Sequence, residues 1–345
     1  MTDRRLPVIL LTGFLGSGKT TLLNRLLRDR SLGDSVVVVN EFGDIPLDHL
    51  LIRHVDEKIR LLDTGCVCCV VRGDLIDTLA DLAARRRRGE LDFARAFIET
   101  SGLVDPTPIF HSMAVDPALV GDWRLSAIVT TVDAVNGPAS LDQHEQARRQ
   151  VALADLLLLT KRELGEASAV DRLAARLTSL NRYAKRLAAD DPALTALLLS
   201  DRLRQVEASA APPETGGHAH PDHGSPHDHE RDPGHEHRET IQARSIVFEE
   251  PVPQAAILEW IDLLAAMRGE QLLRLKGVVQ VVEDPGRPRL VQAVQHVVHP
   301  VETLERWPSE DRRSRLVLIG EDLDFDTVER TLRRYAAPTA AIRAG

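Results

Sequence analysis

Gly13-Phe14-Leu15-Gly16-Ser17-Gly18-Lys19-Thr20 is the stretch that decides how this chain is read. It fits G-x-x-x-x-G-K-[ST], and it stands between an apolar run at residues 8–12 and a helical pattern at 19–29. A strand before and a helix after are the context that gives the spacing its meaning. Glycines at 13, 16 and 18 let backbone N–H groups close round an anion, and the helix start adds positive potential. In such a loop Lys19 reaches the β- and γ-phosphates of a nucleotide and the Thr20 hydroxyl completes a Mg²⁺ shell. Ser17 and Thr21 belong to the same nucleotide-binding set.

Working outward, short continuous apolar runs recur at 36–40, 96–100, 126–132 and 155–160, with helical patterns at 75–88, 142–154 and 171–180. Runs that are apolar throughout are what strands covered on both faces require. Their alternation with helices predicts an α/β fold, a parallel sheet of the P-loop NTPase kind with helices on both faces. Residues 218–237 hold seven of the chain's 13 histidines among glycines and prolines, and almost no apolar residue. Such a segment cannot offset its ordering entropy and reads as a flexible linker. Beyond it, strands at 245–249, 272–282, 289–299 and 315–319 and helices at 254–267 and 325–334 outline a smaller C-terminal α+β domain with a largely antiparallel sheet. The expected division is 1–205, 206–240 and 241–345.

Composition narrows the function. Of 345 residues, 43 are Lys or Arg and 52 Asp or Glu, a net charge of −9 that argues against nucleic acid as a partner. The longest apolar runs are too short to span a bilayer, and the first residues lack a signal-peptide pattern, so the expected compartment is cytoplasmic. All three cysteines fall in Cys66-Val67-Cys68-Cys69. An odd number packed so closely is no disulfide framework. Three thiolates suit zinc or Cu(I), and zinc wants a fourth ligand, for which Glu41 and a histidine are candidates. The neutral imidazoles of the histidine tract could bind further ions weakly.

Two more segments complete a nucleotide site. Glu99-Thr100-Ser101-Gly102 ends the third run, at the sheet edge where ligands bind, and offers Glu99 as the carboxylate that positions Mg²⁺ or water. Thr160-Lys161-Arg162-Glu163 follows the fifth run and resembles the [NT]-K-x-D pattern of P-loop GTPases, in which a carboxylate reads guanine and a lysine stem packs on the base. Asn181 is a further candidate for the flank of that pocket. Asn40-Glu41-Phe42-Gly43 opens a segment that could sense the γ-phosphate.

With these residues in place, the chain resembles the CobW-type GTPases, the metallochaperone branch of the P-loop proteins. The resemblance rests on residues 13–21, 40–43, 65–69, 99–102 and 160–161, on the histidine-rich linker, and on Lys276-Gly277, Val294-Gln295, Trp307-Pro308 and residues 315–320. It implies GTP hydrolysis to GDP, with Lys19 and Glu99 as catalytic residues, coupled to delivery of zinc or cobalt to a client metalloprotein. The family's C-x-C-C ligands carry over to Cys66, Cys68 and Cys69. The expected client surface is the C-terminal domain with the switch region. Three positions depart from the pattern: Glu163 replaces the common Asp, Pro46 stands in the switch, and Arg182 follows Asn181 where proline is frequent. Two other readings stay open at this stage, a metal store with a vestigial nucleotide site and a GTP-dependent switch with structural metal.

Overall fold

Alternate residues of β1 (Leu6–Thr12) serve two different cores. Leu6, Val8 and Leu10 pack into one, Ile9 and Leu11 into another, and each of these side chains is under a tenth exposed. Burial of each such side chain stabilises the fold by about 1.5–3 kcal/mol, which is why the strand tolerates no polar residue before Thr12. The computed structural model describes residues 4–40, 59–61, 70–200, 203 and 241–336.

Along the first part of the chain follow α1 (Lys19–Leu26), β2 (Ser35–Asn40), β3 (Ile59–Leu61), α2 (Val70–Arg87), β4 (Arg95–Thr100), α3 (Thr107–Val115) and β5 (Trp123–Asp133). Then come α4 (Gly137–Gln143), α5 (Glu145–Leu153), β6 (Leu156–Thr160), α6 (Ala167–Leu180), β7 (Lys185–Ala188) and α7 (Leu194–Leu199). The seven strands form one sheet in the order β3-β2-β4-β1-β5-β6-β7, and every pairing in it is parallel. Leu22, Leu23 and Leu26 of α1 and Leu194 and Leu198 of α7 cover one face; α2, α3 and part of α5 cover the other. The order reverses at β1, which lies between β4 and β5, and this switch point puts a crevice at the strands' C-terminal ends.

The second sheet is antiparallel. It is built from β8 (Ile241–Phe248), β9 (Leu272–Val279), β10 (Arg289–Val294), β11 (Val297–Val298), β12 (Glu302–Thr303) and β13 (Ser314–Glu321). Its path is β11-β10-β9-β13-β8, with β12 paired to β10. Helices α8 (Gln254–Arg268) and α9 (Phe325–Ala336) pack on one face over Trp260, Ile261 and Leu332. The opposite face is covered by the first domain. Ile241, Leu273, Val294, Val317 and Ile319 join the same core as Leu6, Ile98, Phe110 and Leu153 of the first domain.

Differences from the sequence expectation can be traced to single residues. The helix expected at 142–154 is two, because His144 takes an extended backbone (φ −126°, ψ 117°) and stacks its ring on Phe14. The strand expected at 289–299 breaks at Gln295, whose φ of 50° turns the chain into β11. The short edge strands β3 and β7 and the helices α3, α4 and α7 add to the expected set.

Candidate functional site

The loop between β1 and α1 takes its shape from glycine. Gly13 and Gly18 have φ of 139° and 91°, a region that side chains with a Cβ rarely enter. A Cβ on Gly13 would stand 2.4 Å from Thr131 Oγ1 and 2.5 Å from the Thr131 carbonyl, so the backbone can approach β5 only because nothing is there. Gly18 caps α1 from the left-handed region and leaves the helix's first N–H groups without a side-chain cap, ready for an anion.

Several side chains hold the loop from behind. Ser17 Oγ and Thr131 Oγ1 share a hydrogen bond of 2.7 Å. Thr160 Oγ1 donates to the Ser17 carbonyl at 2.8 Å, and Lys161 Nζ donates to the Gly16 carbonyl at 2.8 Å. Lys161 adopts φ 55°, which turns its side chain back toward the loop. The ammonium also meets Asp133 Oδ2 at 2.7 Å. Burial opposes ionisation of Asp133, but the bond from Lys161 and the N–H groups of Asn136 and Val135 outweigh it and hold the carboxyl below its usual range. Thr160 and Lys161 thus sit against the phosphate loop. Glu163 lies exposed in the short 3₁₀ turn Arg162–Leu164 that follows, and Thr21 is exposed on α1.

The catalytic candidates meet in front. Lys19 Nζ donates to the Gly13 carbonyl at 2.9 Å and the Phe14 carbonyl at 3.3 Å, which keeps the ammonium over the loop. Thr20 Oγ1 donates to Glu99 Oε1 at 2.7 Å, and Glu99 is buried at 4% exposure. A hydroxyl and a carboxylate side by side are hard oxygen donors, and the pair fits magnesium. The loop after β4 closes against the phosphate loop at Gly102, where a Cβ would lie 2.6 Å from the Leu15 nitrogen.

One candidate falls away. Asn181 is 1% exposed and spends its amide on structure, donating to the carbonyls of Val151, Ala152 and Ala154 and accepting from the N–H groups of Tyr183 and Ala184. It pins the turn between α5 and β6 and the turn after α6; it does not flank a base. Asp133, Thr131 and Gln150 are site residues the sequence reading passed over. An Asp at the end of an apolar strand was the available signal for the first. Cys66, Cys68, Cys69, Glu41, the segment after Asn40 and the histidine tract lie outside the described residues. Among the described residues no group of three or more His, Cys, Asp or Glu side chains could hold a metal ion, and no helix is long and apolar enough to cross a membrane.

Residues 7–188 match the CobW/HypB/UreG nucleotide-binding domain and residues 241–336 the cobalamin synthesis protein CobW C-terminal domain. Over 325 residues the chain is 29% identical to the zinc chaperone YjiA of Escherichia coli, covering 94% of this chain and 96% of that one. It is 30% identical over 379 residues to the zinc chaperone CobW of Pseudomonas aeruginosa, covering 97% and 93%. The crystal structure of Zn(II)-bound YjiA GTPase from E. coli superposes with a TM-score of 0.65 at 24% identity, over 97% of this chain and 99% of that one.

Proposed function

The chain belongs to the CobW/HypB/UreG family, and from that premise we propose that it is a GTP-hydrolysing metallochaperone. It binds a transition metal, zinc before cobalt, at Cys66, Cys68 and Cys69, with Glu41 or a histidine as candidate fourth donor, and delivers it to a client metalloprotein. GTP occupancy sets how tightly the metal is held. The observation that carries this reading is the Thr20–Glu99 pair at 2.7 Å beside the glycine loop, in a chain whose near-full-length relatives are named zinc chaperones.

Each residue has a task. The loop N–H groups and Lys19 cradle the β- and γ-phosphates. Thr20 and Glu99 would hold Mg²⁺, which would supply charge that neutralises the phosphates. Glu99, buried and fixed by Thr20, is also placed to orient the attacking water. Lys161, clamped between Gly16 and Asp133, offers its stem to the guanine face, and Glu163 accepts from guanine N1–H and the 2-amino group. No further group supplies transition-state charge among these residues, so turnover is slow, roughly 10⁻⁴ to 10⁻² s⁻¹ as for unassisted GTPases. The client engages the C-terminal domain and the segment after Asn40.

A ligand that binds two states equally shifts neither. Zinc affinity is therefore measured on full-length protein loaded with a non-hydrolysable GTP analogue and with GDP. Tighter binding in the GTP form, by about tenfold or more, is the expected result; equal affinities overturn the reading.

A further inference from the structure

Helix α5 touches everything that matters and belongs to no motif. At its start His144 stacks on Phe14 of the phosphate loop, with ring centroids 4.4 Å apart. In its middle Gln150, 1% exposed, donates from Nε2 to the carbonyls of Gly102 at 3.1 Å and Val104 at 3.2 Å. These are the residues directly after Glu99-Thr100-Ser101. The neighbouring Arg149 reaches Asp105 of the same loop at 3.8 Å and, in the other direction, Glu321 of β13 at 3.1 Å, with Glu145 at 2.7 Å. At the helix's end Arg274 of β9 donates to the Leu153 carbonyl. Just beyond it, Asp155 takes Arg274 at 2.8 Å and Lys276 at 2.6 Å.

The Gln150 side-chain amide serves the loop behind Glu99, while its backbone carbonyl accepts from Thr130 Oγ1 of β5 at 2.9 Å. Between Thr100 and α3 that loop makes a turn of its own, Val104 N–H to the Ser101 carbonyl at 3.3 Å, and Gln150 binds the carbonyls of Gly102 and Val104 within and beside it. Arg149, adjacent in sequence, ties the same loop to the second domain through a carboxylate that is only 7% exposed. A carboxylate so shielded from water holds its cation in a selective geometry. Resting on the GTPase reading above, we propose that Gln150 is a positioning residue for Glu99, and that Arg149 makes this position answer to the C-terminal domain through Glu321. The helix then carries the state of the client-facing domain to the hydrolytic carboxylate, and by linkage the state of the nucleotide back again.

The test is steady-state GTP hydrolysis by the full-length chain and by Gln150→Leu, Arg149→Ala, Arg149→Lys, Glu321→Gln and the Arg149→Ala/Glu321→Gln double variant. Gln150→Leu is expected to lower kcat about tenfold or more while KM for GTP stays within about twofold, the signature of a misplaced catalytic group. Arg149→Ala and Glu321→Gln each lower kcat less, the double variant falls no further than the single ones, and Arg149→Lys recovers most of the loss. Because the Arg149 and Glu321 variants leave the apolar cores intact, they test the idea even where Gln150→Leu folds poorly. Unchanged kcat in the Arg149 and Glu321 variants, or purely additive losses, overturns the proposal while the GTPase reading stands. A wild-type chain that turns over no GTP removes both.

Discussion

Asn181 is fully buried, and every polar atom of its side chain is used by backbone groups from two turns. Replacing it with alanine takes a partner from three carbonyls and two N–H groups in a place water does not reach, although the Val151 carbonyl keeps the Ala154 N–H. Asn181→Ala is expected to lower the free energy of unfolding by about 3 kcal/mol, read by urea denaturation, while the preference for GTP over ATP stays as in the parent chain. A loss below about 1 kcal/mol would show that the turns hold without it. The same residue marks the limit of what the amino-acid order reveals. Lys19, Thr20 and Glu99 are legible because a local pattern, loop then helix or strand then loop, dictates their chemistry. Asn181 and Gln150 find partners in segments far away in the chain, the carbonyls of residues 151–154 and of 102–104, and their neighbours in sequence carry no trace of that.

The phosphate loop works as an element because β5 and β6 grip it from behind. Thr131 and Thr160 supply hydroxyls at the strand ends, and the closeness of Gly13 to Thr131 is what the grip requires. Gly13→Ala forces the loop off β5 and adds strain of about 1–3 kcal/mol. The chain is expected to stay folded, since both sheets are untouched, and to bind GTP about tenfold to a hundredfold more weakly by calorimetry. Unaltered binding would mean that the loop shape does not depend on this contact. Strands β1, β2, β4, β5 and β6 are readable from their unbroken apolar runs, because both of their faces are covered. The edge strands β3 and β7 are short, with only Ile59 and Leu61 or Leu187 and Ala188 as apolar markers. Helix α3 is hidden for another reason: its nine residues are apolar almost all round and begin beside a proline, so no helical stripe shows. The break between α4 and α5 is set by Phe14, a residue more than a hundred positions earlier.

At the scale of the whole molecule, the two domains share one apolar core, with Leu273, Val317 and Ile319 seated beside Phe110 and Leu153. A buried charged group lies alongside. Burial alone would push the Asp155 carboxyl up, but Arg274 and Lys276 beside it hold it below the usual carboxylate range. Burial, with Arg274 and Arg5 nearby, pushes His299 down to about 4. Neutral His299 is therefore favoured by folding, and the stability it preserves is complete above about pH 6.5 and falls as the pH drops toward 4. Calorimetry of the full chain is expected to show one transition that spans both domains at neutral pH, moving to lower temperature between pH 6.5 and 4.5, with His299→Gln flattening that shift. Two well-separated transitions would show that the common core is not cooperative. The depth of the seam was not legible in the sequence, since the residues that fill it read as ordinary strand positions of either half.

Strand β6 joins two obligations. At its entrance Asp155 is held by Arg274 and Lys276, and at its exit Thr160 and Lys161 brace the phosphate loop. Grafting the C-terminal half of a distant cousin onto this GTP-binding half would therefore succeed only if the graft brought its own pair of cations in register with that aspartate.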